Sequence, residues 1–217
     1  MSDVLGLFGG TFDPVHYGHL RAALGVQRAL GMREVRLVPG RDPPHRPPPG
    51  ANAAARLAML KLAVPEFPSL AVDDRELQRT GKSFTIDTLE SLRQELPQRP
   101  LALIVGVDAF AGFPSWHRWT AIFDTAHVVV TTRPGTSIDD ALDGSLADQW
   151  RKRRTVDRTA LETPRGGAIF WVELPPQPIS ATAIRAALAA GDYAQIRGLL
   201  PAAVLTYIQR HQLYHET

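Results

Sequence analysis

The chain has 217 residues, 44% apolar and 21% charged, with a formal net charge of +2 and no cysteine. That length suits a single α/β domain, and the missing cysteine removes disulfides, thiolate metal sites and cysteine nucleophiles while agreeing with a reducing cytoplasm. No run approaches the roughly 18 apolar residues of a membrane span, no leader-like segment opens the chain, and the near-balanced charge argues against a dedicated nucleic-acid binder.

In chain order, residues 4–8 form an apolar run ending at Gly9-Gly10, which predicts a buried strand entering a glycine turn. Leu20, Leu24, Gln27 and Leu30 fall at helical spacing before a stop at Gly31, and a second apolar run follows at 35–38. This is a β-α-β unit, so its strands are expected to be parallel with a ligand crevice at their carboxyl ends. The proline-rich stretch 39–49 predicts a stiff surface loop.

Beyond it, composition predicts a helix over 53–64, a strand over 70–72 and a helix over 85–96 stopped by Pro97. Strands are expected at 101–105, ending in Gly106-Val107-Asp108, and at 127–131, ending near Arg133. Residues 136–167 pattern weakly and suggest a helix plus an exposed loop. A last strand is expected at 169–172, with helices at 181–190 and 202–211, the latter opened by Pro201. The alternation predicts a Rossmann-like, doubly wound parallel α/β sheet with a small helical C-terminal part, 179–217, within one domain spanning 1–217. Arg151, Lys152, Arg153, Arg154 and Arg158 cluster after Trp150 and read as a solvated helix face, a grip on a polyanion being the alternative.

The stretch that carries chemistry is Gly9-Gly10-Thr11-Phe12-Asp13-Pro14-Val15-His16-Tyr17-Gly18-His19, between the first strand and the first helix. Paired glycines permit backbone conformations and close approach that a Cβ would block, leaving amides free for phosphate, and the helix start favours anions. His16 and His19 lie three apart, so at a helix start they project from one face toward one phosphate group. A half-built metal site or two surface histidines are the alternatives; with no third ligand evident nearby, phosphate fits better than zinc. A second motif, Ile179-Ser180-Ala181-Thr182-Ala183-Ile184-Arg185, lets Ser180 and Thr182 cap a helix and meet phosphate, with Arg185 pointing into the same site.

The first motif resembles the signature loop of the bacterial nicotinate-mononucleotide adenylyltransferases, within the HxGH nucleotidylyltransferase superfamily. The second resembles that superfamily's ISSTxIR segment, with Ala181 where serine is common. The resemblance extends over nearly the whole chain and implies transfer of the adenylyl group of ATP to nicotinate mononucleotide, giving deamido-NAD and pyrophosphate in NAD biosynthesis. It implies catalytic roles for His16, His19 and Arg185. It further implies ATP contacts from Gly9, Gly10, Thr11, Phe12, His19, Gly106, Asp108, Arg133, Ile179, Ser180, Thr182 and Arg185.

For the acceptor, the resemblance implies Thr11, His45 and Arg46 of the proline-rich loop, Phe84 and Thr85 of a Ser83-Phe84-Thr85 segment, Asp108 on the ribose, and Trp116 stacked on the pyridine beside His117. Phe84 and His117 each stand where tyrosine is frequent. Mg²⁺ is expected to ride on ATP with no metal ligand from the protein. The expected partners are ATP and nicotinate mononucleotide, without nucleic acid or membrane, and a homo-oligomer is left open. Rival readings are a nicotinamide-mononucleotide or other acceptor within the superfamily, a nucleic-acid-binding module, and a histidine-metal hydrolase.

Overall fold

The computed structural model describes residues 2–41, 48–134, 138, 142 and 144–214. Six parallel strands are joined in one sheet: β1 (Ser2–Gly10), β2 (Met32–Pro39), β3 (Leu70–Val72), β4 (Leu101–Gly106), β5 (His127–Thr132) and β6 (Ile169–Glu173), in the order β3-β2-β1-β4-β5-β6. Successive strands step outward from β1 in one direction to β3, then in the other from β4 to β6. The order therefore reverses between β1 and β4, where a crevice opens at the carboxyl ends of an open α/β sheet. The doubly wound α/β architecture read from the sequence is the one observed.

The two-residue period of a strand sends alternate side chains to opposite faces, and each central strand here serves two cores. Val4 of β1, Ala102 and Ile104 of β4 and Val129 of β5 join one cluster, whereas Leu5 and Leu7, Leu101, Leu103 and Val105, and Val128 and Val130 join the other. Both faces are thus buried, which explains why these strands read as unbroken apolar runs. On the first face pack α1 (Tyr17–Leu30) through Leu20, Ala23 and Val26, and α2 (Ala53–Ala63) through Met59 and Leu60. The second face is covered by α4 (Thr85–Glu95) through Ile86, Leu89 and Leu92, by α6 (Ile122–Thr125) and by α7 (Gly144–Arg153).

The C-terminal helices α8 (Ala181–Ala189), α9 (Tyr193–Ile196) and α10 (Ala202–Arg210) bury Ile184, Leu188, Ile196, Val204 and Ile208 in the same cluster as α1 and α2. This packing brings the second motif to the first. Helix ends follow the sequence signals: Gly31 closes α1 in the left-handed conformation (φ 65°), and the Asn52 side chain accepts from the Ala55 amide at the start of α2.

One expectation needs correcting. Gly9 and Gly10 do not form a turn; both are paired residues of β1, with Gly10 opposite Pro39 of β2. The short helix α3 (Arg75–Gln78) went unread because its charged sequence carries no apolar period. Of the basic cluster, Arg151, Lys152 and Arg153 close α7, with Arg154 and Arg158 beyond it: Arg151 and Lys152 are exposed and Arg151 pairs with Asp148, while Arg153 bonds Gln149 and lies over the Phe123 ring. Among the described residues, no helix is long and apolar enough to cross a membrane.

Candidate active site

At the carboxyl end of β1 the chain turns through Phe12, which holds φ 51°, a conformation rare for a bulky side chain and characteristic of strained functional loops. Its ring is buried, edge-on to Phe8 and to His19, so toward a ligand Phe12 offers backbone rather than ring. Gly10 is required by space: a Cβ there would come within 2.9 Å of the Phe12 ring. Beside Gly9 a Cβ would meet nothing within 4 Å, so the strand end faces open space.

His16 is the N-cap of α1 and His19 lies in its first turn. The two imidazoles stack with centroids 3.7 Å apart and 24° between planes. Burial pulls His16 down to about 4; burial, with His16 beside it, pulls His19 down to about 3. Both rings are therefore neutral near pH 7 and each carries one N–H. The Nδ1 atoms of both are buried with no hydrogen-bond partner. Gly18 fits between the motifs only because it lacks a side chain: a Cβ would approach the His16 ring to 2.9 Å and Ile179 to 3.4 Å.

Asp13 organises the loop. Its buried carboxylate accepts from the amides of Gly50 (2.7 Å) and Ala51 (3.0 Å) and from the Tyr214 hydroxyl (2.7 Å). Its backbone carbonyl accepts from Arg185 Nη1 at 2.7 Å, across 172 residues of chain. Arg185 also reaches Thr182 Oγ1 at 3.4 Å, and Ser180 caps α8 by accepting from the Ala183 amide. Beneath the loop, the buried Arg56 of α2 donates to the carbonyls of Thr11 (2.7 Å), Gly40 (2.8 Å) and Arg41 (2.8 Å). One guanidinium thus staples the end of β1 to the end of β2.

The remaining sequence candidates belong to other elements. Gly106 ends β4 and caps α5 (Val107–Ala111), with Asp108 exposed in the first turn of α5; Arg133 is exposed just past β5. Phe84 is the N-cap of α4 and Thr85 its first residue. The Phe84 ring packs against His117 at 4.5 Å, joining two segments that are far apart in sequence, while the half-buried Trp116 leans on Phe113 at 4.6 Å. His45 and Arg46 lie outside the described residues.

Sequence reasoning missed Arg56, Asp13 as a hub, and Tyr214. Arg56 was hidden because an arginine in a short helix reads as solvent-facing, and nothing local signals three carbonyl acceptors. Asp13 stood inside the quoted motif, and its position before Pro14 was the available hint of a side chain that serves the backbone. Among the described residues no cluster of three or more histidine, aspartate or glutamate side chains is arranged to hold a metal ion.

Comparison with known proteins identifies the family. The cytidylyltransferase-like family matches residues 7–187. The chain is 46% identical over 210 residues to a probable nicotinate-nucleotide adenylyltransferase of Aeromonas salmonicida, covering 97% of this chain and 96% of the relative. It is 48% identical over 215 residues to one of Pseudomonas aeruginosa, covering 99% and 98%. Among solved structures, the nicotinic acid mononucleotide adenylyltransferase of Plasmodium falciparum complexed with NaAD superposes with a TM-score of 0.73 over 97% of both chains at 16% identity, a likeness of fold.

Proposed function

Because this chain belongs to the cytidylyltransferase-like family and, by near-full-length identity, to its nicotinate-nucleotide adenylyltransferases, we infer that it transfers the adenylyl group of ATP to nicotinate mononucleotide, releasing pyrophosphate and forming nicotinate adenine dinucleotide for NAD biosynthesis. The observation that carries this reading is the junction of the two motifs, in which Gly18 meets Ile179 and Arg185 bonds the Asp13 carbonyl beside the stacked histidines.

An oxygen of the acceptor's phosphate attacks the α-phosphorus of ATP. The new P–O bond forms as the bond from the α-phosphorus to the oxygen bridging it to the β-phosphate breaks, and that oxygen leaves with pyrophosphate. The attacking oxygen is already anionic, so no protein nucleophile is needed; positioning and charge stabilisation supply the rate. His16 and His19 donate one neutral N–H each to phosphate oxygens of ATP, an uncharged donation that survives throughout the neutral pH range. Arg185, braced on Asp13, turns its remaining N–H groups to the triphosphate. Gly9, Gly10, Thr11 and the backbone of Phe12 line the phosphates; Asp108 takes ribose hydroxyls, and Arg133, Ser180 and Thr182 complete the nucleotide site. Thr85 at the start of α4, with Phe84, Trp116 and His117, receives the pyridine ring, and His45 and Arg46 serve the acceptor from the proline-rich loop.

Mg²⁺ enters with ATP. The donor set fits a triphosphate-borne ion rather than a protein cage, since the Asp13 carboxylate is already taken by Gly50, Ala51 and Tyr214. The ion's contribution is to neutralise charge on the departing pyrophosphate. The test is pyrophosphate release from ATP and Mg²⁺ with nicotinate mononucleotide, nicotinamide mononucleotide or phosphopantetheine as acceptor. Fastest turnover with the nicotinate compound is expected; release with none, or a preference for another acceptor, overturns the reading.

A further inference from the structure

Tyr214 lies beyond α10, where the chain departs twice from ordinary backbone geometry: Gln212 holds φ 50° and Tyr214 holds φ 65°. Non-glycine residues in this region carry a conformational cost that surrounding contacts must offset. What the turn achieves is specific. It delivers the Tyr214 hydroxyl to Asp13 Oδ1 at 2.7 Å and lays the ring against Gly50, where a Cβ would come within 3.1 Å of it. Burial and the Asp13 carboxylate push the Tyr214 hydroxyl far above its ordinary range, so it stays a donor.

We propose that Tyr214 is a positioning residue for adenylyl transfer: by bonding the Asp13 carboxylate it fixes the loop of the first motif, the return of the proline-rich stretch at Gly50 and Ala51, and Arg185 of the second motif as one unit. Each link is a hydrogen bond of 3.0 Å or less converging on Asp13. Removing the hydroxyl leaves a buried carboxylate one donor short, and the residue most exposed to the resulting adjustment is Arg185, whose guanidinium depends on the Asp13 carbonyl and lies 3.7 Å from the carboxylate. A small displacement of a phosphate-binding guanidinium is costly because rate depends steeply on geometry. The proposal rests on reading the site as an ATP-dependent adenylyltransferase.

The test is a double-variant cycle on the full chain with Tyr214→Phe, which keeps the ring on Gly50, and Arg185→Lys. Tyr214→Phe alone is expected to lower kcat/KM for ATP about tenfold and to shift the melting temperature by only a few degrees. In the Arg185→Lys background the same change is expected to have less than about a twofold effect, because the two act through one path. Tyr207→Phe, in the same C-terminal part but packed against His211, serves as the unaffected control. Wild-type kinetics in Tyr214→Phe, or equal losses in both backgrounds, overturn the proposal and leave the tyrosine a simple anchor. Calorimetric ATP binding by the four proteins supplies a second arm. Should the wild type transfer nothing to nicotinate mononucleotide, the reaction assigned above fails, and the presence or absence of the same coupling in ATP affinity still decides the role of Tyr214.

Discussion

His16 and His19 lie face to face, their ring centroids 3.7 Å apart, at the very start of α1. Two imidazoles so close are placed to serve the same stretch of a triphosphate together. His19→Ala is accordingly expected to cut turnover by about 10² or more, the scale of losing one donor that stabilises transition-state charge. His16→Ala is expected to do similar damage, and the double variant little more than either alone, as for residues acting as a unit. Pyrophosphate release under saturating substrates reads all three, and a near-normal rate for His19→Ala contradicts its role.

The same burial sets a pH signature. Unfolded histidines take up protons as pH falls through about 6.5, whereas folded His16 does so only near 4 and His19 only near 3. Between those values the unfolded chain binds more protons, so stability is complete above about 6.5 and falls as pH falls. For His16 the loss amounts to roughly 2 kcal/mol by pH 5, with His19 adding in the same direction. Urea midpoints at pH 7 and pH 5 are expected to separate accordingly, and to separate less in His16→Gln. In NMR titration neither ring is expected to show an inflection between pH 6 and 8.

Much of this was legible because the signals are local. The apolar run before Gly9, the helical spacing from Leu20 to Leu30 and the stop at Gly31 give β1, α1 and the crossover to β2, and the two histidines three apart mark the face they share. What escaped depends on residues meeting from distant parts of the chain. The Asp13 hub joins residue 13 to 50, 51, 185 and 214, and no periodicity encodes such a meeting. The glycine turn expected at Gly9-Gly10 falls two residues later, because Gly10 stays paired in β1. Its lack of a Cβ serves the Phe12 ring, while the left-handed turn expected of a glycine is taken by Phe12.

Arg56 offers a test of that hidden architecture. Its side chain is 1% exposed and donates to three backbone carbonyls from two strand ends. Arg56→Met keeps a linear apolar stem but strands those carbonyls without donors, so a destabilisation of about 3 kcal/mol or more is expected. Because Thr11 and Gly40 follow the carboxyl ends of β1 and β2, where the phosphates are proposed to bind, ATP affinity is expected to fall even at temperatures where the variant remains folded. Denaturant melts and nucleotide titration measure the two effects separately; unchanged stability would mean the three bonds contribute little.

Gly18 separates activity from stability most cleanly. It is the second residue of α1, in the first turn, where alanine is itself compatible with helical backbone. Here the added methyl would meet Cε1 and Nδ1 of His16 at 2.9 Å, with Ile179 behind it at 3.4 Å, so the imidazole is the group that must move. Moving it breaks the stack on His19 and withdraws an N–H from the phosphate, for which a shift near 1 Å costs on the order of 10²-fold in rate. Gly18→Ala is therefore expected to fold with stability within about 1 kcal/mol of the parent yet to lose at least tenfold in turnover. If thermal melts instead show it unstable while the surviving fraction turns over normally, Gly18 serves helix packing rather than the histidine pair.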